Sequence, residues 1–491
     1  MNGRPVFINF IRNSISVIYK ENLALLTDFY ELTMAYGYWK SSMEEKEAVF
    51  HLFFRKKPFQ GPFAIAAGLQ TVLEILKNFH FDASDLAYLE SLKMFEKPFL
   101  DYLSKFKLRC DIDAVPEGTP VFQYEPMLRV QGPLIDAQIL EGLLLNIINF
   151  QSLIATKAAR ICAAAHPDPV IEFGMRRAQG IDGAISASRA AFIGGCPSTS
   201  NVIAGKLFGI PAKGTHAHSW IMAFPDEIEA FKAWGEAMPS NVIFLIDTYD
   251  TLKGTKKAIE VAKKLKNVKF AGVRIDSGDL AQLSIQVRKL LDEAGFFETR
   301  IMASNELDES LIVDLKHQGA KINLWGVGTH LVTGQDQPAL DGVYKLSAIR
   351  DSKSAPWQYK LKLSEQLAKT TDPGILQIRR FSNQQGHEWD MIYDELLGVS
   401  NHPTAVSIFD PTKKESPTSG LHWQDLLVPV MRGGKIVYNF PTLNAIQKHA
   451  QSELQKLKAA VRRFRSPQTY FVGLEQSLFD LKLRLIEEIK H

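Results

Sequence analysis

Charged and polar side chains recur at one kind of place in the middle of this chain, directly after short apolar runs. VIEFG is followed by Arg176 and Arg177, and GIPAKGT by His216 and His218. VIFLID ends in Asp247 and continues to Tyr249 and Asp250, while FAGVRI carries Arg274 and runs into Asp276, Ser277, Gly278 and Asp279. RIMAS leads to Asn305 and Glu306, and KINLWGVG ends in Gly328, Thr329 and His330. One such cluster is an ordinary solvated loop. Six at the same position along successive elements point to a shared mouth. Arginines and Gly-Thr loops with free backbone N–H groups suit phosphates. The aspartates of DSGD suit ribose hydroxyls, or the magnesium that accompanies a pyrophosphate. Cations and carboxylates together fit a sugar phosphate better than a purely anionic ligand.

The elements that would hold these residues alternate between two periods. Strands are predicted at 170–174, near 192–195, and at 209–215, 242–247, 269–275, 300–304 and 321–328. Helix-like segments such as DEIEAFKAWGEAM and TKKAIEVAKKLK lie between most of them. This alternation predicts a parallel sheet, and its length favours an α/β barrel over a three-layer sheet. In such a barrel the carboxyl ends of all strands open on one face, where the active site is built. His216 and His218, two apart in an extended segment, would point the same way. No third Cys or His lies nearby, so the pair does not read as a zinc site.

The flanks read differently. Residues 1–21 form an extension, expected to be loosely ordered, and 22–140 an α+β domain with an amphipathic start, LLTDFYELTMAYGYW, and an apolar run, AVFHLFF. The barrel domain spans 141–345 and opens with the helical pattern EGLLLNIINFQSLIATKAARICAAA. A C-terminal region, 346–491, carries strands (QYKLKLS, ILQIRRF), a GGK turn and two helical stretches, and packs on the rest. The basic run KLKAAVRRFR at 456–465 has helical spacing and reads as a solvated helix face.

Composition narrows the class. Of 491 residues 46% are hydrophobic and 23% charged, with a net charge of +3, the balance of a soluble globular protein with no bias towards nucleic acid or membrane. The first twenty residues lack a small-residue cleavage site, and no later segment is read as a bilayer-crossing run. Cys110, Cys162 and Cys196 form no CxxC pair, as expected of reduced thiols in the cytoplasm.

The longer motifs carry a resemblance. LLTDFYELTM, FRKKPF, LRVQGPL with NFQSLIATKAAR, EFGMRRAQG with DGAISASRAAFIGGCPSTSN, GKLFGIPAKGTHAHSW, LIDTYDTLKG, GVRIDSGDL, ASNELDE and WGVGTHLVTGQDQPALDGVYKL occur in that order. Together they resemble the nicotinate phosphoribosyltransferase family along nearly the whole chain. The resemblance implies an irregular α/β barrel of the type II phosphoribosyltransferase kind with an α+β N-terminal domain. It also implies a homodimer with shared active sites. The implied reaction joins nicotinate to 5-phosphoribosyl 1-pyrophosphate, with ATP as co-substrate and Mg2+ accompanying the pyrophosphate or ATP.

Residue roles follow from that resemblance. His218 is implied as the residue that ATP phosphorylates, a role open to imidazole when a partner fixes its tautomer. His216 matches no functional position and reads as structural. Phe173 and Tyr30 would sandwich the pyridine ring, Tyr30 reaching across from the partner subunit; on pattern alone both also read as core. Arg274 and Thr215 would hold the nicotinate carboxylate. Ser200 stands where nicotinamide-using relatives carry a carboxylate, which would repel an acid. Gly328 and Thr329 would contact phosphoribosyl pyrophosphate, with Arg176, Asp276, Asp279 and Asn305 beside them. Asp279 reads equally as an N-cap, and Arg176 as half of a surface ion pair. The competing readings are a nicotinamide phosphoribosyltransferase, a decarboxylating quinolinate phosphoribosyltransferase, and a non-catalytic nucleotide-binding barrel.

Overall fold

The computed structural model describes residues 22–266, 268–364 and 369–490; the extension read over 1–21 lies outside them. The chain divides into two compact units, one of residues 157–338, the other joining the chain up to Thr156 to the chain from Ala339 onward. The strand Gly342–Arg350 explains the second grouping, because it pairs antiparallel with Glu47–Phe54.

In the 157–338 unit, short runs that are mostly apolar and mostly buried become parallel strands. These are β1 (Val170–Glu172), β2 (Ser198–Thr199), β3 (Val242–Leu245), β4 (Phe270–Ile275), β5 (Arg300–Ala303) and β6 (Leu324–Val327). They lie in the order β2-β1-β6-β5-β4-β3, every neighbouring pair parallel. The helices are α1 (Gly180–Ile193), α2 (Val202–Phe208), α3 (His218–Met222), α4 (Glu227–Ala237), α5 (Thr251–Lys264), α6 (Leu280–Glu293), α7 (Glu309–His317) and α8 (Thr329–Val332). Side chains of Asn201, Asp226, Asp250, Asp279 and Asp308 accept from the N–H groups of Ala204, Glu229, Lys253, Gln282 and Leu311, capping α2, α4, α5, α6 and α7. Each such cap stabilises its helix by about 1 kcal/mol.

Three local expectations are corrected. The run at 192–195 is the buried end of α1, and the strand at that place is the short polar β2. The 209–215 segment makes one bridge, Thr199 to Ala212, because Pro211 has no N–H: its carbonyl accepts from Thr199, and Lys213 donates back to the Thr199 carbonyl. His216 and His218 are not in a strand, since His218 begins α3, and their side chains reach different partners. The sheet is consequently open, with β3 at one edge and the 211–213 segment beside β2 at the other.

The other unit holds a seven-stranded antiparallel sheet in the order Gln358–Tyr359, Gly342–Arg350, Glu47–Phe54, Leu128–Pro133, Asp111–Ala114, Val428–Arg432, Lys435–Ile436. Glu47–Phe54 is buried along its whole length, and Phe50 stacks on Tyr344 at 4.8 Å. A second sheet is built on the hairpin Leu376–Asn383 and Gly386–Asp394. The basic run at 456–465 is not a helix face. The helix Leu443–Lys456 stops where Leu457 turns extended and buries, and turns follow. The helix Leu134–Ala165 is long and apolar enough to cross a membrane by length and composition, contrary to expectation; 67% of its apolar window is buried inside the structure.

Candidate active site

The carboxyl ends of the parallel strands surround a cavity of about 310 Å³. Phe173 and Arg176 follow β1, Ser200 follows β2, and Thr215 lies in the loop before α3. Arg274 and Asp276 come from the end of β4, Asn305 and Glu306 follow β5, and Gly328 and Thr329 follow β6. Nine residues given a site role from the sequence therefore line one space: Phe173, Arg176, Ser200, Thr215, Arg274, Asp276, Asn305, Gly328 and Thr329; Arg177, His216 and Glu306 line it with them. Arg176 and its neighbour Arg177 are exposed at this wall and form no ion pair among the described residues, which leaves both charges to the cavity.

Arg274 is the best-defined group. Its Nε donates to Ser304 Oγ at 2.7 Å, one terminal nitrogen to Thr215 Oγ1 at 3.0 Å and the other to Asp276 Oδ1 at 2.8 Å. Each terminal nitrogen carries a second N–H, and such a pair matches the two oxygens of a carboxylate. The guanidinium lies 5.7 Å from the centre of the Phe173 ring. Phe173 also packs on the Ile171, Ile243, Met302 and Leu324 cluster, so it is at once a core side chain and part of the cavity wall. Gly326 makes room for the ring: a Cβ there would come within 2.8 Å of Phe173 Cδ2.

Asp276 is fixed from two sides. Its backbone N–H donates to Asp247 Oδ2 at 2.8 Å, and Ser277 Oγ donates to the same oxygen at 2.7 Å. Burial opposes its ionisation, but Arg274, the Ser304 hydroxyl and His218 outweigh burial, and its pKa lies below the ordinary carboxylate value. His218 does not line the cavity; it stands behind Asp276, with Nε2 3.7 Å from Asp276 Oδ2 and Nδ1 3.1 Å from Thr248 Oγ1. Its side chain is 38% exposed, within reach of a reactant. The Ser200 hydroxyl makes no hydrogen bond among the described residues, while its backbone N–H donates to the Glu172 carbonyl at 2.9 Å.

Besides His218, two further predicted site residues fall outside the cavity. Asp279 caps α6 through Gln282 N–H, so its N-cap reading is the one realised. Tyr30 sits in the other unit, on the helix Phe29–Lys40, 46% exposed. Four supporting residues escaped the sequence reading of roles: Glu172, Asp247, Thr248 and Ser304. Glu172 is buried under the cavity wall and accepts from Gly174 N–H and from the Ser188 and Thr199 hydroxyls, tying together the turns after β1 and β2. Burial raises its pKa above the usual value despite those three donors. A lone acid inside the apolar run VIEFG was the signal available for it. Among the described residues no group of three or more His, Cys, Asp or Glu side chains is placed to cage a metal ion.

Known proteins resemble this chain along most of its length. Family models for nicotinate phosphoribosyltransferase (NAPRTase) match in sequence order: its N-terminal domain over residues 25–149, the NAPRTase family over 169–376, and its C-terminal domain over 377–482. The nicotinate phosphoribosyltransferase of Bacillus subtilis (strain 168) is 42% identical over 479 residues, covering 96% of each chain. The Homo sapiens protein of the same name is 33% identical over 518 residues, covering 92% of this chain and 95% of that one. The crystal structure of human Nicotinic Acid Phosphoribosyltransferase superposes with a TM-score of 0.81 at 30% identity, over 94% of this chain and all of that one. A nicotinate-nucleotide pyrophosphorylase from Pyrococcus furiosus, at 24% identity and a TM-score of 0.68 over 89% of this chain and 97% of that one, shares the fold.

Proposed function

The chain belongs to the nicotinate phosphoribosyltransferase family, and from that premise we propose that its cavity joins nicotinate to 5-phosphoribosyl 1-pyrophosphate in a reaction coupled to ATP through His218. The observation that carries this reading is the Arg274 guanidinium, held by Thr215, Ser304 and Asp276 and lying 5.7 Å from the Phe173 ring. An aromatic face beside a carboxylate fork suits a flat ring that bears one carboxylate. The pyridine nitrogen attacks the anomeric carbon, the bond to pyrophosphate breaks, and nicotinate mononucleotide and pyrophosphate result. Arg176, Arg177, Asn305, Gly328 and Thr329 hold the phosphates, and Asp276 orients the ribose. The protein supplies alignment and charge neutralisation, with no covalent bond to the sugar. Magnesium enters as part of the pyrophosphate substrate, bound mostly by phosphate oxygens and water.

His218 takes the γ-phosphoryl group of ATP: the phosphorus–oxygen bond to ADP breaks, a phosphorus–nitrogen bond forms, and water later releases phosphate. Thr248 fixes the ring for that step through Nδ1, and Asp276 stands 3.7 Å from Nε2. The added negative charge beside the phosphate pocket then biases substrate and product affinities.

The working unit is a homodimer that shares its sites. Phe29, Tyr30 and Met34 on the helix and Leu26 in the turn before it leave apolar side chains exposed, and exposed apolar side chains also stand beside the cavity loops at Met175, Ile181, Val202, Met222 and Tyr249. Exposed apolar patches of this kind fit an interface. None of the three cysteines forms a disulfide, which fits the cytoplasm.

The deciding experiment measures nicotinate mononucleotide formation, with and without ATP, on the unmodified enzyme and on His218→Ala. The expected result is turnover by the former, and loss mainly of the ATP stimulation in the latter. Nucleotide binding without product from the unmodified enzyme would overturn the reading in favour of a non-catalytic barrel.

A further inference from the structure

The open edge of the parallel sheet is bridged by a side chain. On its inner side β3 is bonded to β4: Val242 N–H donates to the Lys269 carbonyl and Ile246 N–H to the Arg274 carbonyl, each at 3.1 Å. The intervening Leu245 N–H faces the other way, towards where a further strand would complete a barrel. No backbone carbonyl of the described residues receives it. It donates instead to His216 Nε2 at 3.1 Å. His216 is buried at the cavity wall, 4% exposed, and its ring meets Trp234 edge to face at 5.0 Å. Its Nδ1 lies 3.4 Å from the Ala217 carbonyl, the position of a weak acceptor, which assigns the proton to Nδ1 and the lone pair to Nε2. Burial, ahead of the nearby Arg274 and His218 charges, pushes its pKa down to about 4, so the ring stays neutral under working conditions.

Two contacts of the site hang on this bond. One residue before His216, Thr215 Oγ1 receives the Arg274 guanidinium at 3.0 Å. Two residues after it, His218 meets Thr248, which lies three residues beyond Leu245, at 3.1 Å. We propose that His216 is a positioning residue whose neutral imidazole stands in for a missing ladder bond, fixing the 215–218 loop against the end of β3 and so setting both the carboxylate site and the phosphoryl-accepting histidine. This rests on the reading of Arg274, Thr215 and His218 given above.

The test compares His216→Leu with His216→Gln. Leucine fills space without an acceptor; the Gln carbonyl oxygen reaches roughly where Nε2 lies. A buried N–H left without a partner loosens its segment, so the leucine variant is expected to raise KM for nicotinate about tenfold and to bring the ratio of rates with and without ATP close to one. Glutamine restores most of both. Faster hydrogen exchange at the Leu245 amide in the leucine variant, and near-native exchange in the glutamine variant, reports the bond itself. A residue that only fills the core would lower the amount of active enzyme while leaving KM and the ATP ratio alone; that result, in folded His216→Leu, overturns the proposal. So does a ring that 15N NMR of the unmodified protein finds protonated at Nε2, a measurement available even if the leucine variant does not fold. If the unmodified enzyme makes no nicotinate mononucleotide, it is the functional reading that fails, and the exchange and NMR results still decide whether His216 holds Leu245.

Discussion

At the scale of single residues, the proposed function makes substrate choice depend on what faces the Arg274 fork. Arg274 already pairs with Asp276, and Ser200 lines the same cavity with a neutral hydroxyl that adds no second carboxylate against an anionic ligand. A carboxylate at that position would compete for Arg274 and would accept hydrogen bonds from an amide NH2. Ser200→Asp is therefore expected to lower kcat/KM for nicotinate by about 10- to 100-fold and to raise it for nicotinamide, since a charged hydrogen bond gained or opposed is worth roughly 1.5–3 kcal/mol. Steady-state kinetics with both substrates check this, and an unchanged acid-to-amide ratio would remove Ser200 from the specificity argument. The aspartates teach a second lesson at this scale. Asp276 and Asp279 sit in one DSGD motif, yet one faces Arg274 in the cavity and the other caps α6. Spacing to the next helix was the readable signal, because Asp250, Asp279 and Asp308 each accept from the N–H three residues on.

At the scale of elements, the sites are set by how closely strands and loops approach. Gly326 in β6 lies against the Phe173 ring, where a Cβ would sit 2.8 Å from Cδ2 and 2.6 Å from Met302 Cε. Gly326→Ala must push the ring into the space assigned to nicotinate. The expected outcome is a KM for nicotinate raised about tenfold with KM for phosphoribosyl pyrophosphate little changed, alongside a stability loss of about 1–3 kcal/mol. Equal rises in both would place the damage elsewhere. The bridge at Leu245 also has a pH signature. His216 has a folded pKa of about 4 against an ordinary 6.5, so between those values the unfolded chain binds the extra proton. Its contribution to stability is complete above 6.5 and is lost as pH falls towards about 4. Thermal melts at pH 7 and pH 5 should show a larger drop for the unmodified protein than for His216→Gln; the buried His51, lowered in the same direction, contributes equally to both. Much of this was legible beforehand. Continuous apolar runs gave β1 and β3 to β6, and residues after β1, β4, β5 and β6 line the cavity, whereas Tyr249 and Asp250 after β3 do not, Asp250 capping α5 instead. β2 was not legible, because two residues, Ser198 and Thr199, became a strand through the hydroxyl bond of Thr199 to buried Glu172, a tertiary contact that no local period encodes. The apolar 192–195 run looked like a strand because the end of α1 is buried all round.

At the scale of the whole molecule, the proposed homodimer is tested by asking whether a second copy of the chain completes each site. The residues that line the cavity all lie within the 157–338 unit, whereas Tyr30 belongs to the other unit and offers a half-exposed ring. Burial, then the carboxylates of Glu141 and Glu31, raises the Tyr30 pKa, so the phenol stays neutral and keeps an apolar face for stacking. If that face covers the pyridine ring in a neighbouring copy, lesions on the two units must complement each other. Tyr30→Ala and Arg274→Ala, each purified alone, should turn over poorly at low nicotinate, the first by loss of stacking worth about 1–3 kcal/mol. After subunit exchange half of the dimers are mixed, and each mixed dimer has one site carrying both lesions and one carrying neither. About a quarter of all sites are then intact, and activity should rise to about a quarter of the unmodified level, above either parent. Sites built within one chain give a different result, because mixing can then yield no more than the average of the two parents.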